Sequence, residues 1–383
     1  MSNLILGFGF GVDVKLKDIP VNFFQTHKFS KFSIESFVDD PISCDVLLCQ
    51  PANPWPQGPL RMEGGVSLLD VKSNIKFTYI PYINIMVLRE LSRFVYVLAF
   101  ILFRFQNYRR VFVYSSYTPF LLVAFILRYL SGSYVCGFFT DAPGVASPTD
   151  NVLIRFLKAF ERNFTPFLFS IFSRSCVLSN NFAKKYLSNQ VKVIPGVIDD
   201  IILAPKVFSN KIRLVYAGSL NKDDNLLRFA KSFNSLDSEL VELHIFGVGS
   251  ESFDIENFAK TSTIVYFHGA CENSVVLDFY RQCDYGLMLR DPALPSVNMG
   301  FPSKIFEYLS HGLIPVVTPL ESIPDELLSS FVVTGLDFEQ VIKRLLHLSE
   351  IEWAQYHRKC DILRYKFNRR SQLSTIKDFF YND

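Results

Sequence analysis

The chain has 383 residues, of which 49% are hydrophobic and 20% charged, and its formal net charge is +2. This composition excludes a disordered chain, and the length allows two domains with separate cores. Residues 1–200 carry 20 Lys and Arg against 14 Asp and Glu, a net of +6, whereas the remaining residues net −4. Because the basic half also holds the longest apolar runs, an anionic membrane surface is favoured over nucleic acid as partner, although arginines that only solvate helix ends give the same pattern.

Short apolar runs alternate with longer amphipathic stretches, which is typical of a parallel sheet covered by helices. The strands predicted in the first half are residues 3–10, 45–50, 75–80, 110–116, 134–140, 175–179 and 191–196. Those predicted in the second half are 211–218, 241–247, 264–269, 284–289 and 314–317, with helices at 223–235, 274–283, 302–310 and 336–348. We therefore expect an α/β fold of two doubly wound domains, joined near 197–210, with a helical tail from about 350.

The apolar runs of the first half are too short or too interrupted to cross a bilayer. Residues 94–103 would span about 15 Å as a helix, which is about half of a bilayer core. Residues 111–130 contain Ser115, Ser116 and Pro119, which predict a strand, a turn and a helix. We expect buried elements, or one face that lies on a membrane. The first residues lack signal-peptide features, and the seven cysteines lack metal-site spacing, so a cytoplasmic protein with reduced thiols is expected.

Glycines follow the predicted strands of the second half at the edge where parallel sheets bind ligands. Gly218 and Ser219 end one strand, and Gly247 and Gly249 follow the next. Glycines allow a backbone to approach a ligand and to expose N–H donors. They also end strands for purely steric reasons, so each junction by itself is weak evidence.

The segment GFPSKIFEYLSHGLIPVV, residues 300–317, predicts a short helix that leads from such a loop into a buried strand. Pro302 suits a first helical turn, and the free N–H groups near Ser303 and Lys304 predict a phosphate site. Lys304 and Glu307 share a helix face. One interpretation places Lys304 beside an anion and Glu307 on vicinal sugar hydroxyls, and the other is an ordinary surface salt bridge between them.

Residues 211–318 resemble the nucleotide-sugar-binding domain of the group 1 glycosyltransferases, family 4 and its relatives. The resemblance rests on strands that end in AGSL and FGVG, on YFHG and CDYGLML, and most specifically on PSKIFEYLSHGLIPVV. The first half matches more loosely, through residues 177–199 and YVCGFFTDAPG. The resemblance implies the GT-B fold, in which two doubly wound Rossmann-like domains face a cleft. Residues 1–200 would form the acceptor-side domain and 201–350 the nucleotide-sugar-binding domain, with helices in 351–383 that cross back to the first.

The resemblance also implies a set of site residues. Glu307 would hold the ribose hydroxyls of the donor, and the helix N-terminus before it would hold the diphosphate. Asp141 and Lys304 are the catalytic candidates, although Asp141 also suits a turn ahead of Pro143. The candidate nucleotide-sugar-binding residues are Gly218, Ser219, Lys222, Gly247, Gly249, Pro302, Ser303, Lys304, Ile305 and Glu307.

Two features depart from the family pattern. Met299 stands where many members have a glutamate that faces the donor sugar. Ser219 and Asp224 stand at or near the positions of an arginine and a lysine that clamp the diphosphate, so that only Lys222 is close by. These departures concern the donor and the phosphate-binding residues, and the fold inference does not depend on them.

The implied function is transfer of a sugar from a nucleotide-diphosphate donor to a saccharide acceptor. The acceptor would be lipid-linked, as in O-antigen or capsule synthesis, and the enzyme would be cytoplasmic or peripheral on the inner membrane. The reaction would retain configuration and need neither a metal nor another cofactor, and no nucleic-acid partner is expected. Two alternatives stay open. A sugar-nucleotide epimerase needs a histidine and carboxylates in the cleft, and the first domain has only His27. A non-catalytic scaffold is supported by the missing clamp residues.

Overall fold

Two units, each with its own sheet, make up the chain in the computed structural model. The first comprises Met1–Ile194 together with Leu373–Asp383, and the second comprises Pro195–Gln372. The structure describes residues 2–9, 24–38, 43–68, 75–104, 108–145, 152–198, 203, 206–233, 240–298 and 300–382. All seven cysteines lie in these ranges and are free, and six of them are buried.

The first unit contains an eight-stranded sheet that is parallel except at one edge. Its strands are Ser2–Phe8 (β1), Cys44–Cys49 (β2), Gly65–Leu68 (β4), Ile75–Tyr79 (β5), Tyr108–Tyr114 (β7), Tyr134–Phe139 (β8), Arg174–Val177 (β9) and Gln190–Val193 (β10). Two short strands, Arg61–Met62 (β3) and Tyr82–Ile83 (β6), pair separately. The order is β10-β9-β8-β7-β1-β2-β5-β4, and β4 runs antiparallel to β5. Every residue of β2 is buried, as expected for a strand covered on both faces.

Helices connect these strands. They are Phe24–Phe37 (α1), Met86–Arg104 (α2), Thr118–Ser131 (α3), Val152–Phe169 (α4) and Asn180–Tyr186 (α5). The helices α2, α3 and α4 pack side by side. Among the described residues, none of the helices combines the length and the hydropathy that a membrane span requires.

The second unit contains a six-stranded, fully parallel sheet. Its strands are Ile212–Ser219 (β11), Val241–Val248 (β12), Val265–Gly269 (β13), Tyr285–Met288 (β14), Ile314–Val317 (β15) and Val332–Val333 (β16), in the order β13-β12-β11-β14-β15-β16. Its helices are Leu226–Lys231 (α6), Ser252–Thr261 (α7), Asn273–Gln282 (α8), Lys304–Ser310 (α9), Asp325–Leu328 (α10), Phe338–Leu346 (α11) and Glu350–Lys366 (α12). The helix Arg369–Tyr381 (α13) contains the boundary between the units.

The structure contains every predicted strand, with shifted ends, and adds the short strands β3, β4, β6 and β16. The helix predicted at 223–235 is shorter than expected. Lys222–Asp224 forms a 3₁₀ turn, and Asn225 adopts a left-handed conformation (φ 54°) before α6 begins. A non-glycine residue in this region interrupts a helix, and the side chain of Asn225 anchors the break by donating to the Leu289 carbonyl at 2.9 Å. Residues 234–239, which include the predicted end, lie outside the described residues.

Candidate functional site

The strand order of the second unit creates a topological switch point between β11 and β14. The chain runs outward from β11 through β12 to β13, and then returns to the other side of β11 to form β14, β15 and β16. In open parallel sheets, ligands bind at the carboxyl ends of the strands at such a point. Ser219 ends β11 and is exposed. The start of α9 lies at the same edge, because this helix connects the carboxyl end of β14 to the amino end of β15.

A buried carboxylate organises the carboxyl end of β11. Asp224 is only 4% exposed. Its Oδ2 accepts hydrogen bonds from the Ser219 hydroxyl and the Asn221 N–H, each at 3.2 Å. Its Oδ1 accepts from Nε of Arg290 at 3.2 Å. A buried carboxylate needs such partners, so Asp224 fixes both the turn after β11 and the position of the Arg290 guanidinium.

Arg290 is a site residue that the sequence analysis missed. It follows β14 by two residues and is 38% exposed, so its cation reaches the surface at the switch point. The family pattern places its positive charges after β11, where this chain has Ser219 and Asp224. A charged residue directly after the predicted strand CDYGLML was the available signal. Its partner Asp224, however, is 66 residues away in the chain, so local spacing does not predict the pair.

Tyr216 lies beneath this turn on β11. Its hydroxyl donates to the carbonyl of Ser219 at 2.6 Å. Burial raises the pKa of Tyr216, and the nearby Asp224 raises it further. The phenol therefore remains a protonated donor across the neutral pH range, and it holds the last residue of β11 in place.

Gly247 and Gly249 are required by the backbone around them. Gly247 has φ +131°, and a Cβ placed there would lie 1.8 Å from the carbonyl oxygen of Gly218 on the neighbouring strand. A Cβ on Gly249 would lie 2.3 Å from the carbonyl oxygen of Leu220. The Gly249 N–H already donates to the Ser252 hydroxyl at 2.7 Å. These contacts give both glycines a steric reason, which is the alternative to a role in ligand approach.

The helix α9 is fixed to the sheet by its apolar face. Ile305, Tyr308 and Leu309 are fully buried, and the Tyr308 hydroxyl donates to the Leu287 carbonyl of β14 at 2.9 Å. Pro302 precedes the N-cap residue Ser303, and its carbonyl accepts from the N–H of Ile305 at 3.1 Å. The predicted helix therefore begins two residues later than expected. The side chain of Ile305 packs in the core and does not reach the surface of the predicted binding site.

Lys304 and Glu307 form an ion pair beside the apolar face of α9. Nζ of Lys304 lies 2.7 Å from Oε2 of Glu307, and the two side chains are 32% and 12% exposed. The predicted shared face is therefore observed, and so is the salt bridge of the alternative interpretation. The pair keeps a carboxylate and an ammonium together beside the start of the helix, at the carboxyl edge of the sheet.

The remaining candidates divide between the two units. Gly218 lies in β11, and Lys222 is exposed in the turn that Asp224 closes. Asp141 belongs to the first unit and follows β8; its Oδ2 accepts from the Thr140 hydroxyl at 2.7 Å, and its carbonyl accepts from the Ser116 hydroxyl at 2.6 Å. Met299 lies outside the described residues.

Comparison with known families locates a match in the second unit. Residues 211–350 match the family described as glycosyl transferases group 1. The matched segment contains the switch point, Arg290 and the Lys304–Glu307 pair. No curated protein matches the chain by sequence.

Comparison with solved structures shows the fold of the whole chain. Sucrose-phosphate synthase from Thermosynechococcus elongatus superposes with a TM-score of 0.65 at 10% identity, over 99% of this chain and 98% of that one. Anabaena HepE, solved in complex with UDP, gives 0.61 at 11% identity over 99% of both chains. WaaG, a glycosyltransferase involved in lipopolysaccharide biosynthesis, gives 0.58 at 12% identity over 99% and 100%. These likenesses confirm the predicted class of two Rossmann-like domains, and identities this low show the fold alone.

Proposed function

Because residues 211–350 match the family described as glycosyl transferases group 1, we propose that the protein transfers a sugar from a nucleoside-diphosphate donor to a saccharide acceptor. The observation that carries this proposal is the set of charged side chains at one edge of one parallel sheet: Arg290 at the switch point, and Lys304 with Glu307 on α9. A diphosphate needs cations, and a ribose needs a hydrogen-bond acceptor for its two hydroxyls. This edge supplies both.

The donor binds the second unit, with Glu307 on the ribose hydroxyls. Glu307 keeps one carboxylate oxygen paired with Lys304, so its other oxygen accepts from the sugar. Arg290 uses Nε for Asp224, and its outer nitrogens provide further donors for phosphate. Arg290 thus supplies the positive charge that the family pattern places in an arginine and a lysine, at the positions where this chain has Ser219 and Asp224. The complex of Anabaena HepE with UDP supports a nucleoside diphosphate as the common part of the donor.

The chemical step is departure of the diphosphate from the donor sugar. Negative charge grows on the leaving group, and fixed cations nearby stabilise it more than they stabilise the intact donor. Lys304 and Arg290 have this role in the proposal. Asp141 is the catalytic candidate of the first unit, with the accepting hydroxyl as its partner in this proposal. The reaction retains the configuration of the sugar and uses protein groups rather than a metal for the diphosphate charge.

The acceptor is a lipid-linked saccharide in the synthesis of a surface polysaccharide, and the protein works at the cytoplasmic face of the membrane. WaaG, which has the same fold, is involved in lipopolysaccharide biosynthesis. The first unit exposes large apolar side chains along α4, such as Phe156 (68%) and Phe160 (60%). The same helix carries Arg155, Lys158 and Arg162. An apolar stripe beside cations matches an anionic lipid surface.

A thermal-shift panel of UDP-, GDP-, ADP- and CMP-sugars tests the proposal. A donor present at 100 times its Kd raises the free energy of unfolding by about 2.7 kcal/mol. The Glu307→Ala variant should fold and lose most of this shift, since it lacks the acceptor for the ribose. Release of nucleoside diphosphate and free sugar supports a transferase. Formation of an epimer, an absence of any shift, or an equal shift in the variant contradicts the proposal.

A further inference from the structure

An exposed tryptophan follows β2 in the first unit. The chain has two tryptophans; Trp353 is 9% exposed, whereas Trp55 is 54% exposed. Large aromatic side chains dominate contact energies where they meet a ligand. The solvent-exposed indole of Trp55 is therefore a candidate contact for a ligand of the first unit.

The loop that carries Trp55 is fixed by one buried side chain. Asn84 is fully buried, and its Nδ2 donates to the Asn53 carbonyl at 2.7 Å and to the Pro59 carbonyl at 2.9 Å. The N–H of Trp55 donates to the Asn84 carbonyl at 3.1 Å. These bonds hold the loop on both sides of Trp55. The indole is thus presented at a set position, and little ordering is needed when a ligand binds.

The turn after Trp55 is closed by its own backbone. The N–H groups of Gln57 and Gly58 donate to the Pro54 carbonyl at 3.0 and 3.2 Å. A Cβ on Gly58 would lie 2.1 Å from the Asn53 carbonyl oxygen, so the chain passes close to itself here. The loop is a compact hydrogen-bonded unit rather than a loose connection.

This loop lies at the ligand-binding edge of the first sheet. Here β1 is flanked by β2 and β7, so the switch point lies between β1 and β7. Trp55 follows β2 on one side of that point, and Asp141 follows β8 on the other. Three strand spacings separate β2 from β8, which is about 14 Å at about 4.8 Å each. The strands that lead to the two residues are thus further apart than one sugar ring is wide, and an oligosaccharide is long enough to span that spacing.

A packed floor fills the edge between them. Arg93 is 4% exposed; its guanidinium lies 3.8 Å from the centroid of the Tyr82 ring, and its Nη1 donates to the Tyr117 hydroxyl at 3.2 Å. The Tyr82 hydroxyl donates to the Gln50 carbonyl at 2.6 Å, at the start of the Trp55 loop. The surface between Trp55 and Asp141 therefore has a rigid base.

We propose that Trp55 is a distal subsite for the acceptor, which stacks one ring of an oligosaccharide on its indole. This proposal rests on the proposed function, since Asp141 marks the end where transfer occurs. A pyranose presents a face of C–H groups to an aromatic ring and hydroxyls around its rim. The exposed residues that follow Trp55 in the chain have the same mixed character: Leu60 is apolar, and Gln57, Arg61 and Glu63 can form hydrogen bonds. The acceptor is thus a chain of at least two sugars.

To test the subsite, the affinity of the 383-residue chain for immobilised synthetic saccharides of one to four sugars is measured. We expect an oligosaccharide to bind more tightly than its terminal monosaccharide. The Trp55→Ala variant should weaken that binding about tenfold or more, as for other aromatic anchors, and Trp55→Phe, which keeps a ring, should weaken it less. Tyr129→Ala removes another exposed aromatic of the first unit and is the matched control. In turnover, Trp55→Ala should raise KM for the acceptor and leave kcat unchanged.

Other outcomes overturn the subsite. One is equal saccharide binding by Trp55→Ala and wild type. Another is that none of the oligosaccharides binds more tightly than its monosaccharide. A third is a Trp55→Ala defect confined to vesicle binding, which would assign the indole to lipid. Binding of UDP is measured on the same proteins. Loss of the subsite with UDP binding intact leaves the proposed function standing, whereas saccharide binding without any nucleotide binding leaves only the subsite.

Discussion

Arg290 Nε lies 3.2 Å from Oδ1 of the buried Asp224, so an ion pair joins the residues that follow β11 and β14 at the switch point of the second unit. The pair has two consequences that can be separated. It satisfies a carboxylate that is 4% exposed, and it holds a guanidinium where a diphosphate is proposed to bind. Stability depends on the first, and affinity on the second.

The variant Arg290→Ala should weaken UDP binding about tenfold to hundredfold, since a hydrogen bond to a charged group contributes about 1.5–3 kcal/mol. It should also lower the free energy of unfolding, because Asp224 loses a partner. Isothermal titration and urea denaturation measure the two effects.

A second substitution tells the two roles of Arg290 apart. Asp224→Asn in the Arg290→Ala background removes the unpaired charge and should recover stability but not affinity. Arg281→Ala is the control, because Arg281 forms an exposed pair with Asp278 on α8. If Arg290→Ala binds UDP as wild type does, the guanidinium is structural only.

Lys304 should matter more for rate than for stability. The pair with Glu307 is partly buried, with side chains that are 32% and 12% exposed, so its loss should lower the free energy of unfolding by about 1–2 kcal/mol. Loss of a group that stabilises the leaving charge costs on the order of 10²-fold in rate. Donor hydrolysis and thermal unfolding of Lys304→Ala test this difference. Lys260→Ala, which breaks the exposed pair with Glu256 on α7, should change neither, and equal rates for all three proteins would remove Lys304 from the site.

Local patterns in the sequence predict most of the fold. Parallel strands buried on both faces appear as apolar runs, which is why β2 and β15 are recognisable. The three-residue spacing of Lys304 and Glu307 likewise predicts their contact. Strand order is set by packing over long distances, so the neighbourhood of β11 and β14, and with it the Arg290–Asp224 pair, is not visible in the sequence. The break in the helix at Asn225 depends on a side-chain bond to Leu289, which is equally non-local.

Gly247→Ala should destabilise the second unit by about 2–4 kcal/mol, because it combines a strained backbone with overpacking. Its φ is +131°, and the added Cβ would meet the backbone oxygen of Gly218 at 1.8 Å. Gly335→Ala is the matched control, since nothing lies within 4 Å of a Cβ there. Urea denaturation compares the two. A Gly247→Ala protein with normal stability and lost nucleotide binding would show that this glycine serves ligand approach instead.

The exposed apolar face of α4 should bind anionic vesicles. Phe156→Ser together with Phe160→Ser should weaken sedimentation with phosphatidylglycerol-containing vesicles, because apolar burial and attraction of Arg155 and Arg162 to the lipid act together. Added salt should weaken the wild-type interaction through screening. Phe253→Ser on α7, which removes a side chain that is 72% exposed in the second unit, is the control. Equal binding to neutral phosphatidylcholine vesicles at high salt would contradict the charge argument.

His357 should make the second unit sensitive to acid. Burial lowers the pKa of His357 to about 4, an effect that Asp361 opposes and Lys206 reinforces. In the unfolded chain the imidazole has a pKa of about 6.5, so below that pH the unfolded state binds a proton that the folded state does not. The free energy of unfolding therefore falls as the pH drops from about 6.5 towards 4.

Substitution of His357 should remove this part of the acid sensitivity. His357→Gln should flatten part of the loss of stability between about pH 6.5 and pH 4, the interval between the pKa values of the unfolded and folded states. The His357 ring lies 4.1 Å from that of Trp353, so Trp353 fluorescence in a Trp55→Phe background reports the transition during urea denaturation. His347→Gln, at an exposed position after α11, is the matched control. An unchanged slope in His357→Gln would show that this imidazole binds protons equally in both states.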